Sequence, residues 1–151
     1  MNPEDAAKNA IEAALLDLVA QGHQGVLATI KADGRPQLSV VNYAYYPDQR
    51  LVKVSITASR AKYRNLLRDP RASLQVIRPD GWAYAVLEST AELSAVATDE
   101  HDEAVEELVE LFRAVQGEHR DWDDYRRAMV ADQRVVLRLP IERAYGTAPR
   151  G

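Results

Sequence analysis

The sequence contains no cysteine. That single absence removes disulfides, thiolate zinc sites, iron–sulfur clusters and cysteine nucleophiles together. No apolar run approaches the roughly 18–20 residues that a membrane-spanning helix needs, and the first residues lack a basic patch followed by an apolar segment and cleavage site. A cytoplasmic protein, with no membrane partner, is the expectation. Neither G-x-G-x-x-G at a strand-to-helix turn nor G-x-x-x-x-G-K-[ST] occurs, which argues against the Rossmann and P-loop ways of holding a nucleotide. The histidines, His23, His101 and His119, are far apart and share no ligand spacing, so no metal is expected. An excess of positive charge is missing too: the net charge is −4, which disfavours nucleic acid as a partner.

What is present fits one domain with one core, 151 residues of which 46% are hydrophobic. Charge is spread unevenly. Arg60, Lys62, Arg64, Arg68 and Arg71 lie against Asp69 alone, a local charge of +4 that leaves −8 for the rest. Such a segment can focus an anionic ligand without making the whole surface attractive to polyanions.

Periodicity supplies the elements. Asn2, Pro3, Glu4 and Asp5 begin a helix whose apolar side holds Ile11, Leu15 and Leu18, with Gly22 as its end. Alternation then takes over in residues 26–31, Asp33-Gly34 supplies a two-residue hairpin turn, and a strand returns from 36 to about 46. After the Pro47-Asp48 turn, Val52, Val54 and Ile56 form the apolar face of a further strand. Residues 59 to about 69 read as a helix with Tyr63, Leu66 and Leu67 inward, stopped by Pro70. A strand over 72–77, a Pro79-Asp80-Gly81 turn and a long strand from 82 to about 93 follow. Two helices, 98–115 and 122–131, precede a strand around Val135, Leu137 and Leu139 and an extended stretch at 141–145. Consecutive hairpins make the sheet mostly antiparallel, and six or seven strands with few helices predict a closed or split β-barrel with flanking helices.

The chemistry concentrates where the third strand meets the short helix. Free backbone N–H groups at a helix start attract anions, and here Ser55, Thr57 and Ser59 with Arg60 and Lys62 flank those donors. A phosphate would fit, held bidentately by Arg60 with Lys62 as a point charge. Ser59 as a simple cap is the competing reading, but cations in the first turn oppose the helix dipole and ask for an anionic partner. Arg60, Arg64 and Arg68 recur every fourth residue as a cationic ridge, either a solvated face or the track for a longer acidic tail. The acids Asp121, Asp123 and Asp124 read as a capped helix start, and those between Asp99 and Glu110 as a solvated face.

The strings Gly25-Val26-Leu27-Ala28-Thr29, Asp33-Gly34-Arg35-Pro36-Gln37, Ser59-Arg60-Ala61-Lys62-Tyr63-Arg64-Asn65-Leu66, Asp69-Pro70-Arg71-Ala72 and Trp82-Ala83-Tyr84 appear in order. Together they resemble the pyridoxamine 5′-phosphate oxidase-like split barrels, most closely the B group of the flavin/deazaflavin oxidoreductases. Gly117-Glu118-His119, Asp121-Trp122-Asp123-Asp124-Tyr125-Arg126 and Leu139-Pro140-Ile141 are similar to actinobacterial members of that group. The resemblance implies a split barrel of the FMN-binding type, a homodimer with cofactor sites at its interface, and coenzyme F420 as hydride donor to a conjugated electrophile such as a quinone, an enone or biliverdin. It matches Arg60 and Lys62 to phosphate binding, Ser55, Ile56 and Ala61 to contacts near the ring and ribityl chain, and Pro36, Gln37, Leu38 and Ser39 to the ring edge. Trp82 and Tyr84 match the partner subunit's contribution, or else ordinary barrel packing. No catalytic residue is identified. An FMN oxidoreductase and a non-catalytic F420 carrier remain as alternatives.

Overall fold

A computed structural model describes residues 2–149. Helix α1 (Pro3–Ala20) starts as its sequence dictates, with the Asn2 side chain accepting from the Asp5 N–H at 2.8 Å and proline in the first turn. Leu15, Leu18 and Val19 are its buried side and pack towards β5 (Tyr84–Thr90) and β8 (Arg143–Thr147). Strands β1 (Gln24–Ile30) and β2 (Pro36–Tyr46) form the first hairpin. Its loop holds three residues rather than two. Gly34 N–H donates to the Lys31 carbonyl (2.9 Å) and Lys31 N–H to the Arg35 carbonyl (2.8 Å), and only Gly34, at φ +87°, takes the left-handed region. A two-residue turn with Asp33 and Gly34 at its centre would have asked the same of Asp33, which a glycine bears at far lower cost.

Strands β3 (Leu51–Thr57), β4 (Arg71–Ile77), β6 (Glu92–Leu93) and β7 (Arg134–Pro140) complete one antiparallel sheet of order β6-β7-β3-β2-β1-β4-β5-β8. The eight strands exceed the six or seven expected because the apolar run after Gly81 is not one strand. It breaks at Ala91: β5 pairs with β4 and β8, whereas Glu92 and Leu93 cross over to pair with β7. Trp82 lies before β5, 80% exposed.

The sheet consists of two halves. Residues Pro36 to Asn42 of β2 pair with β1, and Tyr43 to Tyr46 pair with β3. On the far side the halves meet again, where Ser89 on β5 donates to the Pro140 carbonyl at the end of β7 (2.6 Å). The result is a split barrel around Leu27, Tyr43, Val52, Val54, Ile56, Leu74, Leu87, Leu137 and Leu139. Gly146, at φ +145°, is the close approach that lets β8 join β5, since a Cβ there would stand 2.2 Å from the Tyr84 carbonyl oxygen.

Helix α2 (Ala61–Arg68) links the halves; α3 (Glu103–Gln116) and α4 (Trp122–Ala131) form a second layer. The capping residue of α2 is Arg60, not Ser59, and no side chain bonds the first turn. Leu67 is 62% exposed, because the short helix turns Asn65 and Leu66 inward instead. Helix α3 begins five residues later than its apolar pattern suggests. The Asp102 carboxylate accepts from Thr98 and Asp99 N–H as well as from its own helix at Val105, and so holds that approach as a loop. Val105, Leu108, Tyr125 and Met129 pack on Val136 as a separate core over β7.

One carboxylate fastens α3 to the barrel. Glu107 pairs with Lys53 on β3 (3.0 Å) and with Arg138 on β7, whose Nε donates at 2.8 Å. Arg138, and after it Lys53, hold the Glu107 carboxyl below its ordinary range against the opposing effect of burial. A depressed folded value stabilises above the unfolded carboxyl pKa, near 4.3, and the contribution disappears as pH falls through the folded value. Glu107→Gln is expected to cost roughly 1–2 kcal/mol at pH 7, below the 3–5 of a fully buried pair. Urea unfolding should show the gap between wild type and variant closing as the pH is taken below 4.

Candidate functional site

Where β2 leaves β3 for β1, the two strands open a wedge, and a cavity of about 410 Å³ occupies it. Its floor is Val40, Val41 and Asn42 from β2 and Ser55, Ile56 and Thr57 from β3. One end is cationic, with Arg60 and Lys62 from the start of α2 and Arg134 from the start of β7. The opposite wall is apolar: Leu111, Phe112 and Val115 of α3 with Tyr125 and Met129 of α4. Among the described residues no carboxylate lines it.

Strand register explains the cations. Thr57 stands opposite Arg134 and Ser55 opposite Val136, so Arg134 and Ser55 share the face that α3 and α4 cover, while Ile56 and Val135 turn into the barrel. Arg134 Nη1 approaches the carbonyl and hydroxyl oxygens of Ser55 at 3.4 Å. Its Nε is buried without a hydrogen-bond partner; Asp132 stands 3.8 Å away. Leaving a buried donor unmade costs about 1–3 kcal/mol, a debt a ligand oxygen would cancel. Lys62 titrates below an ordinary lysine, first through burial and then through Arg60 and Arg134. Burial pushes the Tyr125 hydroxyl up to about 12 while Arg134 pulls the other way, and that neutral hydroxyl donates to the Leu108 carbonyl at 2.9 Å. Phe112, Trp122, Tyr125 and His119 stack edge to face or tilted with centroids 5.0–5.7 Å apart, which fixes the apolar wall.

Of the residues singled out from the sequence, Ser55, Ile56, Arg60 and Lys62 meet in this cavity, with Ala61 between the two cations in the chain. Pro36 lies elsewhere, in a hollow of about 590 Å³ with Arg71, Ser73, Glu88 and Arg143. Gln37 is held by a buried triad: Asn65 Nδ2 donates to Gln37 Oε1 (2.9 Å) and Thr29 Oγ1 (3.1 Å), and Thr29 donates to Gln37 at 3.2 Å. Ser39 faces inward opposite Leu27, whereas Leu38 is 64% exposed on the outer face. Trp82 and Tyr84 do not line the cavity; they sit at the start of β5. The ridge is partly structural. Arg64 donates to the Ser59 carbonyl (2.8 Å) and Arg68 to the Ile30 carbonyl (3.0 Å), leaving Arg60 facing the cavity.

The fold is that of the split barrels, and the match is not confined to architecture. A model of the pyridoxamine 5′-phosphate oxidase family matches residues 11–148, and the chain belongs to that family. Over 133 residues it is 27% identical to the F420H(2)-dependent biliverdin reductase of Mycobacterium tuberculosis (strain CDC 1551 / Oshkosh), covering 88% of this chain and 85% of that protein. A conserved hypothetical protein from Mycobacterium tuberculosis superposes with a TM-score of 0.70 at 26% identity, covering 91% of this chain and 84% of its own. A protein described as an F420 reductase superposes with a TM-score of 0.66 at 24% identity over 85% and 94% of the two chains, a likeness of fold.

Asn65→Ala should leave Thr29 and Gln37 short of a donor and lower stability by about 1–3 kcal/mol. The denaturant midpoint reads this directly.

Proposed function

We propose that the protein is a cytoplasmic, homodimeric reductase that holds reduced coenzyme F420 and uses it to reduce a small conjugated electrophile. The observation that carries this reading is the cavity in the β2–β3 wedge, whose lining includes three cations and no acid. The residues present suit a phosphate-tailed ring. Arg60 and Lys62 would take the phosphate, with the N–H groups of the first turn of α2 beside them. Ser55 and Ile56 lie where the strand backbone would border the ring, and Asn65 of α2 and Thr29 hold the Gln37 amide oxygen. When bound, the reduced deazaflavin supplies a hydride. The protein's part is then to fix the geometry, exclude water with the wall of α3 and α4, and stabilise charge that develops on the substrate.

The dimer reading rests on the outer face of β2, β1, β4, β5 and β8. Val40, Val26, Gln75, Val86 and Tyr145 stand in one cross-strand row. Leu38, Val40, Ile77 and Tyr145 are 64%, 66%, 49% and 41% exposed, an apolar patch of the kind that marks an interface. A second copy laid there would bring Pro36, Leu38, Trp82 and Tyr84 of the two chains to the contact. The double variant Ile77→Asp, Tyr145→Asp should sediment as a monomer.

Titration of F420 and of FMN into the purified protein tests the cofactor. F420 is expected to bind, and Lys62→Ala to weaken it by about 10- to 100-fold, the range of a charge-assisted hydrogen bond. An anion beside Lys62 raises that lysine's pKa, so affinity should fall as pH rises through the lowered value of the free protein, and the fall should flatten in Lys62→Arg. FMN binding with F420 ignored would favour the FMN oxidoreductase alternative instead. F420 binding without oxidation of its reduced form by biliverdin or menadione would make it a carrier.

A further inference from the structure

We propose that Arg134, on the β7 side of the cationic end, forms an anion subsite for a carboxylate on the substrate. The inference rests on the reductase reading above and narrows its substrate class: an apolar conjugated body bearing an acidic side group.

Charge within the cavity comes first. Lys53, Arg50, Arg71, Arg78, Arg113, Arg126 and Arg138 each lie within ion-pair distance of an acid, all at 3.0 Å or less. In the cavity, Arg60 and Lys62 have no acid within ion-pair distance among the described residues, although the protein as a whole is acidic. Arg134 has only Asp132, at 3.8 Å and more than half exposed. A phosphate carries at most two charges, which Arg60 and Lys62 answer. One cation is left over, and a carboxylate is the anion of matching charge and planar shape for a guanidinium.

Arg134 enters the cationic end from a different element than the other two. Arg60 and Lys62 follow the end of β3, whereas Arg134 opens β7, the neighbour of β3 on the side away from β2. Its guanidinium reaches over the β3 ladder to Ser55, with Nη1 on the Ser55 oxygens and Nε buried but unbonded. It lines the same cavity as Tyr125 and Met129, and its charge acts on the Tyr125 hydroxyl. A ligand lying against Phe112, Val115 and Met129 would therefore present an acidic substituent to Arg134. A polar glutamate tail has no use for that wall. Ser55 holds the guanidinium loosely, at the long limit of a hydrogen bond, so it can turn to a bidentate pair without breaking a strong contact.

Biliverdin, which carries two carboxylates, and its neutral dimethyl ester share one chromophore and differ in the groups in question. Absorbance titration into the wild-type protein without cofactor should show the acid binding at least about tenfold more tightly than the ester. Arg134→Gln should remove that preference, and Arg134→Lys should restore part of it, while F420 affinity in both stays within about threefold of wild type. Equal binding of acid and ester by the wild type, failure of the acid to bind, or an Arg134→Gln loss of F420 affinity matching that of Lys62→Ala would each overturn the proposal. Lack of turnover with biliverdin, by contrast, would count against the reductase reading and leave the binding comparison intact.

Discussion

The structure depends on one strand having two partners. An eleven-residue strand cannot stay in register with β1 along its first seven residues and with β3 along its last four without the sheet opening where the allegiance changes. That opening is the cavity. In a flat sheet Ser55 to Thr57 would be paired on both sides; here they pair with β7 alone, and their β2 side borders space next to the first N–H groups of the following helix. The divergence of the two strands thus creates a polar-edged niche, which Arg60, Lys62 and Arg134 line with cations.

Electrostatics and packing divide the niche between them. The barrel side supplies charge, from Arg60, Lys62 and Arg134, and the helical side supplies apolar surface, from Leu111, Phe112, Val115 and Met129. Neither half makes a binding site alone. Their relative position is set by Glu107, which ties α3 to two strands at once, and by the packing of Val105 and Leu108 on Val136.

Much of this was legible in the sequence. The alternation of Val52, Val54 and Ile56, the caps at Asn2 and Asp121 and the stop at Pro70 each obey a local rule, and the Ser59 to Lys62 segment stands out by charges that a helix start would otherwise avoid. What escaped depends on tertiary partners. Arg134 reads as an ordinary charged residue at a strand start until the register sets it opposite Thr57. Asn65 reads as a polar residue on a helix face; only the proximity of Thr29 and Gln37 makes it worth burying in preference to Leu67. The break at Ala91 has no punctuation at all, since the chain changes sheet halves there without glycine or proline.

The two cores are packed independently, and this has an evolutionary consequence. Side chains along α3 and α4 that face the niche belong to a layer with its own cluster of buried residues, so they can be exchanged without unpacking the barrel core. A lineage could redraft this one helical hairpin and reshape the apolar side of the niche while its cationic end stays as it is.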